Sequence, residues 1–265
     1  MTLRVVLFDV DGTLADTEAL GHRPAYNRAF RKLGLKMRWG PKLYRRLLKL
    51  PGGRERLKHY IEEYRPDLGD QQREADADLD GWVAKVHELK SKYFKRRMRH
   101  GRVPLRAGIA RLMREARTQD LKLAIVTNAS LKTLKPVLKY CMGRELAAEI
   151  EVIASGEEVK HKKPAPDLYR LAMRRLGATP DECVALEDSE MGFKAASAAG
   201  VATVITVNSD TLEQDFAGAA LVVSSLGEPG APARALKGEL GLLPWVTIDT
   251  LRRVSAAAST VARAA

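Results

Sequence analysis

The sequence has little cysteine and no long apolar run. Its two cysteines, Cys141 and Cys183, lie far apart and outside any Cys-x-x-Cys pair, which excludes a disulfide-rich scaffold and gives no zinc-binding spacing. No apolar stretch approaches the roughly 20 residues that cross a bilayer. The apolar start, Val5–Phe8, is too short for a signal peptide and stops at Asp9. We therefore expect a cytoplasmic protein with buried thiols and no membrane partner.

A surplus of positive charge is concentrated in one segment. The 265 residues carry a net charge of +12, and residues 18–99 alone hold 22 Lys or Arg against 11 Asp or Glu. Two interpretations of this surplus remain open. The charges can simply be solvated on helix surfaces, or they can create a positive field that attracts an anionic substrate. No stacking-aromatic motif or groove-reading helix accompanies the charge, so we do not expect nucleic acid as a partner.

Short apolar runs alternate with helical patterns along much of the chain. Most runs lack polar alternation, which is typical of strands buried on both faces of a parallel sheet. The runs are Val5–Phe8, Leu123–Val126, Val152–Ile153, Cys183–Leu186 and Val201–Val207. Helical patterns at 107–119, 166–176 and 190–199 lie between the later runs. The alternation predicts an α/β fold with a doubly wound, Rossmann-like parallel sheet.

The first two runs are separated by a long stretch that reads as helices, at 18–34, 41–49, 54–64 and 72–98. We therefore predict an α-helical cap, residues 18–99, inserted into a core formed by residues 1–17 and 100–227. A Gly- and Pro-rich stretch at 227–232 reads as a flexible link. Residues 228–265 are expected to form a partly flexible C-terminal extension.

The stretch LFDVDGTLADTE, residues 7–18, places two acids directly after the first apolar run. Ligands of an open α/β sheet bind beyond the carboxyl ends of its strands, where Asp9 and Asp11 lie. Residues i and i+2 of an extended segment face the same way, so both carboxylates can point into one cleft. Their repulsion favours a bound cation, and Mg²⁺ prefers carboxylates together with phosphate oxygens. The stretch therefore predicts a site for Mg²⁺ and a phosphate.

Three later predicted strands are also followed by polar residues. Thr127 and Asn128 follow the second run, Lys-Lys-Pro-Ala-Pro-Asp at 162–167 follows the third, and Glu187 and Asp188 follow the fourth. Each group alone is ordinary, because threonine is common in turns and lysine pairs are usually solvated. Because all of these residues follow predicted strands, we expect them to lie at the same ligand-binding edge of the sheet.

The four motifs, in this order, resemble those of the haloacid dehalogenase superfamily. The resemblance implies that Asp9 is a nucleophile that becomes an aspartyl-phosphate and that Asp11 is the general acid and then the base, which are chemically consistent roles. It implies that Thr127 hydrogen-bonds the transferring phosphoryl group and that Lys163, rather than Lys162, neutralises charge. The Mg²⁺ ligands that it implies are Asp9, Asp11, Asp188 and Glu187, with Glu187 more often acting through a water molecule.

Within that superfamily the chain is similar to the CbbY group, which are xylulose-1,5-bisphosphate phosphatases associated with Rubisco. The likeness runs from residue 3 to about 226 and is carried by Glu18–Arg23, by Tyr26-Asn27-x-x-Phe30, by the loop at 52–56 and by Thr127–Leu131. In that group one substrate phosphate lies over the nucleophile and the cap holds the other. The substrate-binding residues that the resemblance implies are Glu18, His22, Gly52, Gly53, Arg54, Glu55, Arg56, His87, Lys90, Asn128 and Ser130.

The loop at 51–56 also has features that can be read without the resemblance. Two glycines before a helix can present backbone N–H groups to a phosphate, and Arg54 and Arg56 can add forked donors. A helix–helix turn with two exposed arginines is the alternative interpretation. The loop departs from the Thr-Gly-Gly-Lys common in the group, because Pro51 has no hydroxyl or N–H and Arg54 changes the donor geometry. The segment after Thr127 also lacks the group's run of threonines.

We therefore expect a monomeric, Mg²⁺-dependent phosphatase of a small-molecule sugar phosphate. The expected reaction converts xylulose 1,5-bisphosphate, a Rubisco inhibitor, into xylulose 5-phosphate. Phosphoglycolate hydrolysis is an alternative on the same fold, although a substrate with one phosphate has no need of a basic cap. β-Phosphoglucomutase chemistry is another, in which the phosphoryl group returns to a sugar. A non-catalytic anion- or nucleic-acid-binding protein is the remaining alternative, and it would have no use for Asp9 as a nucleophile.

Overall fold

The computed structural model describes residues 2–50 and 52–264, with side chains up to residue 258. Contacts divide the chain into two compact units, one formed by 1–16 with 104–265 and the other by 17–103. We call them the sheet unit and the helical unit. The contacts therefore place the junctions between the units at 16/17 and 103/104. The sequence analysis predicts them at 17/18 and 99/100.

The described residues of the helical unit form a wide helical turn, Thr17–His22, a short 3-10 helix, Gly69–Gln71, and five α-helices. They are α1 (Arg23–Lys32), α2 (Pro41–Leu47), α3 (Gly53–Tyr64), α4 (Gln72–Ala77) and α5 (Leu79–Arg99). The single helix expected at 72–98 is interrupted at Asp78, whose extended backbone starts α5 and whose side chain accepts from the N–H of Gly81 at 2.9 Å. This is an N-cap interaction, and aspartate is among the preferred residues for it.

An aromatic cluster forms the core of the helical unit. The ring of Trp39 lies 4.5 Å from Tyr26, 5.1 Å from Phe30 and 5.4 Å from Tyr60, centroid to centroid. The backbone of Trp39 is fixed by Asn27, whose Oδ1 accepts from its N–H at 2.8 Å and whose Nδ2 donates to its carbonyl at 2.9 Å. Aromatic pairs of this kind add to the stabilisation that burial provides.

The sheet unit is built on seven strands. They are β1 (Val5–Phe8), β2 (Lys122–Thr127), β3 (Ile150–Ser155), β4 (Cys183–Glu187), β5 (Ala202–Thr206), β6 (Leu221–Val223) and β7 (Ala235–Lys237), in the order β3-β2-β1-β4-β5-β6-β7. All neighbouring strands are parallel except β6 and β7. Its helices are α6 (Ile109–Thr118), α7 (Leu131–Val137), α8 (Gly143–Ala148), α9 (Asp167–Leu176), α10 (Glu190–Ala198) and α11 (Ile248–Ala264). The predicted α/β fold with a doubly wound sheet is confirmed.

Strand β1 lies in the interior of this sheet, between β2 and β4, because its four apolar residues can be covered on both faces. Val5 and Leu7 pack with residues of α9 and α10, and successive side chains of a strand point to opposite faces. Phe8 is in register with Ile125 of β2 on one side and with Leu186 of β4 on the other. The carboxyl ends of β1, β2 and β4 therefore meet where the strand order reverses, which is the usual ligand-binding edge of such a sheet.

Residues 228–264 belong to the sheet unit, whereas the sequence analysis ended the core at 227 and expected a partly flexible C-terminal extension from 228. The Gly- and Pro-rich link is a tight turn, in which Glu228 and Ala231 exchange backbone hydrogen bonds at 2.9 and 3.0 Å. That turn returns the chain to the sheet, where β7 pairs with β6 and α11 contacts β4, β5 and α6. Val246, Ile248 and Leu251 are fully buried there. Among the described residues, no helix combines the length and apolarity that crossing a bilayer requires.

Candidate active site

One lysine joins the carboxyl ends of three strands. The Nζ of Lys163 donates to Oδ1 of Asp9 at 2.7 Å, to Oε1 of Glu187 at 2.6 Å and to the carbonyl oxygen of Val126 at 2.7 Å. An ammonium group has three N–H donors, so all of them are used. Burial would lower the pKa of Lys163, but the carboxylates of Asp9 and Glu187 raise it above the ordinary lysine value. The side chain is therefore a buried, permanent cation.

The backbone of Lys163 is held in place by Asn128. The Oδ1 of Asn128 accepts from the N–H of Lys163 at 2.9 Å, and its Nδ2 donates to the Lys163 carbonyl at 3.3 Å. The sequence analysis predicts that Asn128 contacts the substrate. In the structure its amide hydrogen-bonds to the backbone of Lys163. Ser130, expected to contact substrate as well, caps α7 by accepting from the N–H of Thr133 at 3.2 Å. Both side chains therefore shape the loop that follows β2.

Three buried carboxylates lie together at this edge of the sheet. Ligand atoms of Asp9, Glu187 and Asp188 are all within 4.8 Å of one another. The backbone N–H of Asp9 donates to the Leu186 carbonyl at 3.0 Å, which keeps Asp9 in line with β4. Lys163 is the cation that contacts this group directly, so three acids share one ammonium charge. This imbalance favours either bound protons or a bound cation.

The pKa values of the acids reflect this crowding. Burial raises the pKa of Glu187 to about 7, even though the Lys163 ammonium opposes the shift. Burial, followed by the charges of Asp9 and Glu187, raises the pKa of Asp188 well above the usual range. Ligand-free protein near neutral pH therefore retains protons on this group of acids.

The residues present fit a divalent metal ion. Carboxylate oxygens are the ligands that Mg²⁺ favours, and the three acids are close enough to share one ion. The Oε1 of Glu187 already accepts from Lys163 and from the hydroxyl of Tyr169 at 2.5 Å, while its Oε2 is buried without a hydrogen-bond partner among the described residues. Gly12 permits the close approach of Asp188, since a Cβ at that position would lie 2.2 Å from Asp188 Oδ2.

Two further predicted site residues, Asp11 and Thr127, follow or end the same strands: Asp11 comes shortly after β1, and Thr127 is the last residue of β2. Asp11 is half-buried and its backbone pairs with Ala15. Its carboxylate does not belong to the described set of acids within 4.8 Å of one another, although the sequence interpretation counts Asp11 among the metal ligands. Thr127 is almost fully buried, and its Oγ1 accepts from the N–H of Ala129 at 3.0 Å.

Three residues that sequence reasoning missed support this edge of the sheet. Arg106 donates to the carbonyls of Gly12, of Thr206 at 2.8 Å and of Val207 at 2.5 Å. Asn208 donates to Oδ2 of Asp188 at 2.7 Å, and Tyr169 orients Glu187. A usable signal existed only for Asn208, which directly follows the apolar run Val201–Val207 and so lies beyond a fifth strand end.

The helical unit gathers several of its predicted substrate-binding residues around Arg56. The hydroxyl of Tyr44 donates to Oε2 of Glu18 at 2.5 Å, and Nη1 of Arg56 lies 3.0 Å from that hydroxyl and 3.5 Å from Glu18 Oε2. The ammonium of Lys90 lies over the ring of Tyr26, 5.0 Å from its centroid. We call Glu18, Tyr26, Tyr44, Arg56 and Lys90 the Arg56 cluster. It places two buried cations beside one carboxylate.

Both histidines predicted for the substrate site lie near this cluster. The ring of His22 stacks on Phe94 with centroids 4.0 Å apart. Burial, then the charges of Lys90 and Arg56, lowers the pKa of His22 well below the usual value, so the ring is neutral near pH 7. His87 lies against Gly53, where an added Cβ would meet its Nε2 at 2.8 Å. The cations of Arg56 and Lys90 against the single carboxylate of Glu18 leave the cluster with a net positive charge.

The rest of the predicted loop is less closely engaged. The carbonyl of Gly53 accepts from the Tyr26 hydroxyl at 2.7 Å, whereas Arg54 and Glu55 are exposed in the first turn of α3. The backbone of Gly52 has a φ of 96°, which glycine adopts far more readily than other residues. Pro51, where the loop departs from the CbbY pattern, lies outside the described residues.

Comparison with known families gives a consistent result. A family model described as haloacid dehalogenase-like hydrolase matches residues 3–200. The protein CbbY of Cupriavidus necator is 39% identical over 230 residues, which cover 87% of this chain and 88% of that protein.

Solved structures show the same likeness. The crystal structure of CbbY from Rhodobacter sphaeroides in complex with phosphate has a TM-score of 0.75 and 38% sequence identity, and it covers 86% of this chain and 97% of that one. An aspartate-to-asparagine mutant of the same protein, in complex with xylulose-(1,5)-bisphosphate, has a TM-score of 0.74 and 37% identity, with the same coverage.

Proposed function

Because this chain belongs to the haloacid dehalogenase-like hydrolases and, within them, to the CbbY group, we propose that it is a Mg²⁺-dependent phosphatase of sugar bisphosphates. The proposed substrate is xylulose 1,5-bisphosphate, which a solved relative binds in its mutant form. The proposed product is xylulose 5-phosphate. The protein would thereby clear a Rubisco inhibitor in the Calvin cycle, acting as a monomer in the cytoplasm.

The observation that carries this proposal is the contact of Lys163 with Asp9 and Glu187. A carboxylate nucleophile needs a neighbouring positive charge while an anionic phosphate approaches it, since like charges repel. The ammonium of Lys163 provides that charge within hydrogen-bonding distance of Asp9. A purely structural ion pair would not require two further buried acids beside it.

The proposed reaction has two steps. A carboxylate oxygen of Asp9 attacks phosphorus, the bond from phosphorus to the sugar oxygen breaks, and Asp11 gives its proton to the leaving oxygen. Asp11 then takes a proton from water, and the water oxygen attacks phosphorus and releases Asp9 and inorganic phosphate. The Thr127 hydroxyl is proposed to hydrogen-bond the phosphoryl oxygens in both steps.

Asp9 and Asp188 are proposed to hold Mg²⁺, with Glu187 acting directly or through water. When bound, the ion neutralises carboxylate and phosphate charge. Asn208 orients Asp188, and Tyr169 orients Glu187. Asp11 is proposed as the acid–base group, which agrees with the position of its carboxylate outside the set of three acids.

The second phosphate is proposed to bind the helical unit. Arg56 and Lys90 supply fixed positive charge there, and Glu18 and Tyr44 hold the Arg56 guanidinium in one orientation. The Nε of Arg56 is buried without a hydrogen-bond partner among the described residues. Arg54, Gly52 and Gly53 are proposed to add donors at the start of α3, with Glu55, His22 and His87 lining the same region.

Phosphate release from a panel of esters tests the proposal. The panel contains xylulose 1,5-bisphosphate, phosphoglycolate, β-glucose 1-phosphate and p-nitrophenyl phosphate, each with Mg²⁺ or with EDTA. We expect fastest release from the bisphosphate and none with EDTA. Equal rates on phosphoglycolate and the bisphosphate would contradict a role for the second phosphate, and formation of glucose 6-phosphate would indicate a mutase.

Replacing Arg54 with alanine is expected to raise KM for xylulose 1,5-bisphosphate about tenfold, because a charge-assisted hydrogen bond to phosphate is lost. The values for p-nitrophenyl phosphate should hardly change, since this ester has no second phosphate. Arg46→Ala removes an exposed arginine of α2 and is the matched control. An equal loss on both substrates in Arg54→Ala would rule out a distal-phosphate role.

Mg²⁺ binding is expected to tighten as pH rises from 6 to 8. The pKa of Glu187 is raised to about 7 and that of Asp188 is raised too, so at lower pH the metal must displace protons. Each displaced proton changes the apparent affinity by up to about tenfold per pH unit. Calorimetry in two buffers of different ionisation enthalpy measures the protons released.

The matched control for this titration is Glu190→Gln, which removes a half-buried acid at the start of α10 that pairs with Lys194 and not with the three acids. Its pH dependence should equal that of the unmodified chain, while Asp188→Asn should lose binding. An affinity that stays constant between pH 6 and 8 in the unmodified chain would contradict proton-linked binding at these acids.

A further inference from the structure

The helical unit contains a second basic region, which we call the basic groove. Its cavity measures about 1030 Å³ and lies between α1, α5 and the segment 35–38. Seven arginines, one lysine and one histidine line it, and no aspartate or glutamate does so among the described residues. No residue of the Arg56 cluster lines the groove, so the proposed phosphatase function leaves it unexplained.

The cations of the groove form no ion pair with any described side chain of the protein. Arg31 on α1 and Arg96 on α5 are exposed and have no ion pair in the described part of the chain. Arg97 donates from Nε to the carbonyl of Leu20 at 2.6 Å, and burial together with the charge of Arg102 lowers its pKa. Like charges held this close repel one another, and a bound anion would remove that repulsion.

The groove also has an apolar part. Pro24, Leu35, Met37 and Tyr93 line it together with the cations, and the guanidinium of Arg28 lies over the Tyr93 ring, 5.7 Å from its centroid. Pockets for small ligands typically combine apolar walls with a few polar groups and measure roughly 300–1,000 Å³. A sugar phosphate would fill only part of this volume. The lining therefore suits a larger ligand with several negative charges and one apolar or planar group.

We propose that the basic groove binds a small polyphosphorylated ligand of the nucleoside triphosphate class. Arginine guanidinium groups match phosphate oxygens in pairs of hydrogen bonds, and they stand on both walls, from α1 and from α5. The apolar residues between them contact the planar base. This site is additional to the proposed sugar-bisphosphate site and does not depend on it.

The lining favours this class over a nucleic acid strand. Proteins that bind single strands stack successive bases on several aromatic side chains, whereas Tyr93 is the aromatic residue that lines the groove and Arg28 covers it. The cations also line a single cavity, and they come from α1, from α5 with the residues that follow it, and from the segment 35–38. A compact ligand with three or four charges fits that arrangement better than a chain of phosphates.

Calorimetric titration of the full chain with ATP, with inorganic tripolyphosphate and with adenosine tests the proposal. The titration is done without Mg²⁺ and measures binding alone, so its result does not depend on whether the chain is a phosphatase. We expect ATP to bind, tripolyphosphate to bind more weakly and adenosine not to bind. The double variant Arg31→Ala/Arg96→Ala should weaken ATP binding about tenfold or more, because charge-assisted hydrogen bonds are lost from both walls.

The matched control is Arg46→Ala/Arg73→Ala, which removes the same charge from exposed positions outside the groove. Its ATP affinity should stay within about twofold, since exposed charges are screened over about 10 Å. Lys36→Ala/Arg38→Ala is a second groove variant with the same expected loss, and thermal unfolding checks that each variant folds. Three results would each overturn the proposal. They are an equal loss of ATP affinity in groove and control variants, the absence of ATP binding, and tighter binding of a single-stranded oligonucleotide at the same residues.

Discussion

Asp9→Asn is expected to lower phosphate release from xylulose 1,5-bisphosphate by about 10⁴-fold or more, the scale that follows removal of a covalent nucleophile. An amide oxygen is a poor nucleophile towards phosphorus, and the amide cannot form the aspartyl-phosphate. The variant should remain folded, because Lys163 keeps its contact with Glu187 and one of three crowded acids becomes neutral. Phosphate release and intact-mass detection of the phosphorylated enzyme after acid quenching measure the two effects.

The matched control is Asp120→Asn, which changes an exposed acid before β2 at the opposite edge of the sheet. Asparagine tolerates the positive φ of this position, 55°, so activity and fold should be preserved. Retention of a tenth of the original turnover in Asp9→Asn, or a phosphorylated species in that variant, would disprove Asp9 as the nucleophile.

Lys163→Ala is expected to abolish turnover and also to destabilise the protein. Without the ammonium, Asp9, Glu187 and Asp188 lose their shared cation, and removing one partner of a buried ion pair costs about 3–5 kcal/mol of unfolding free energy. Added Mg²⁺ should restore part of this stability, since it offers a replacement charge. Urea unfolding in EDTA and in Mg²⁺, together with phosphate release, measures both effects.

Lys162→Ala is the control for that experiment, and it also resolves which lysine acts. Lys162 is exposed, whereas Lys163 is 4% exposed and contacts three strand ends. We expect Lys162→Ala to change neither turnover nor unfolding free energy by a measurable amount. A larger loss in Lys162→Ala than in Lys163→Ala would mean that the motif had been aligned one residue out of place.

Local patterns were sufficient to predict five of the seven strands, all but β6 and β7, and the residues at the strand ends. The apolar runs give β1, β2 and β4, and the residues just beyond them are Asp9, Thr127 and Glu187. Those predictions depend on short segments, each with its own periodicity or its own motif. The break between α4 and α5 was missed, although Asp78 and Gly81 are compatible with an N-cap, because the helical periodicity continues on both sides of it.

Long-range contacts explain what the sequence could not predict. Arg106 binds carbonyls of Gly12 and Thr206, which lie 94 and 100 residues away, and no local pattern marks an arginine that will do so. The engagement of Asn128 with Lys163 depends on a loop 35 residues further along. The inclusion of α11 in the sheet unit depends on which face of the sheet remained uncovered, and that is set by the whole fold.

The polypeptide passes from one unit to the other only twice, after residues 16 and 103. The residues proposed to hydrolyse the phosphate ester all lie in the sheet unit. Most of the residues proposed to select the sugar lie in the helical unit. Exchange of the intervening segment with that of a relative would thus require only two splices. Proteins with this organisation can therefore evolve a new substrate specificity through changes in residues 17–103 while their catalytic residues stay unchanged.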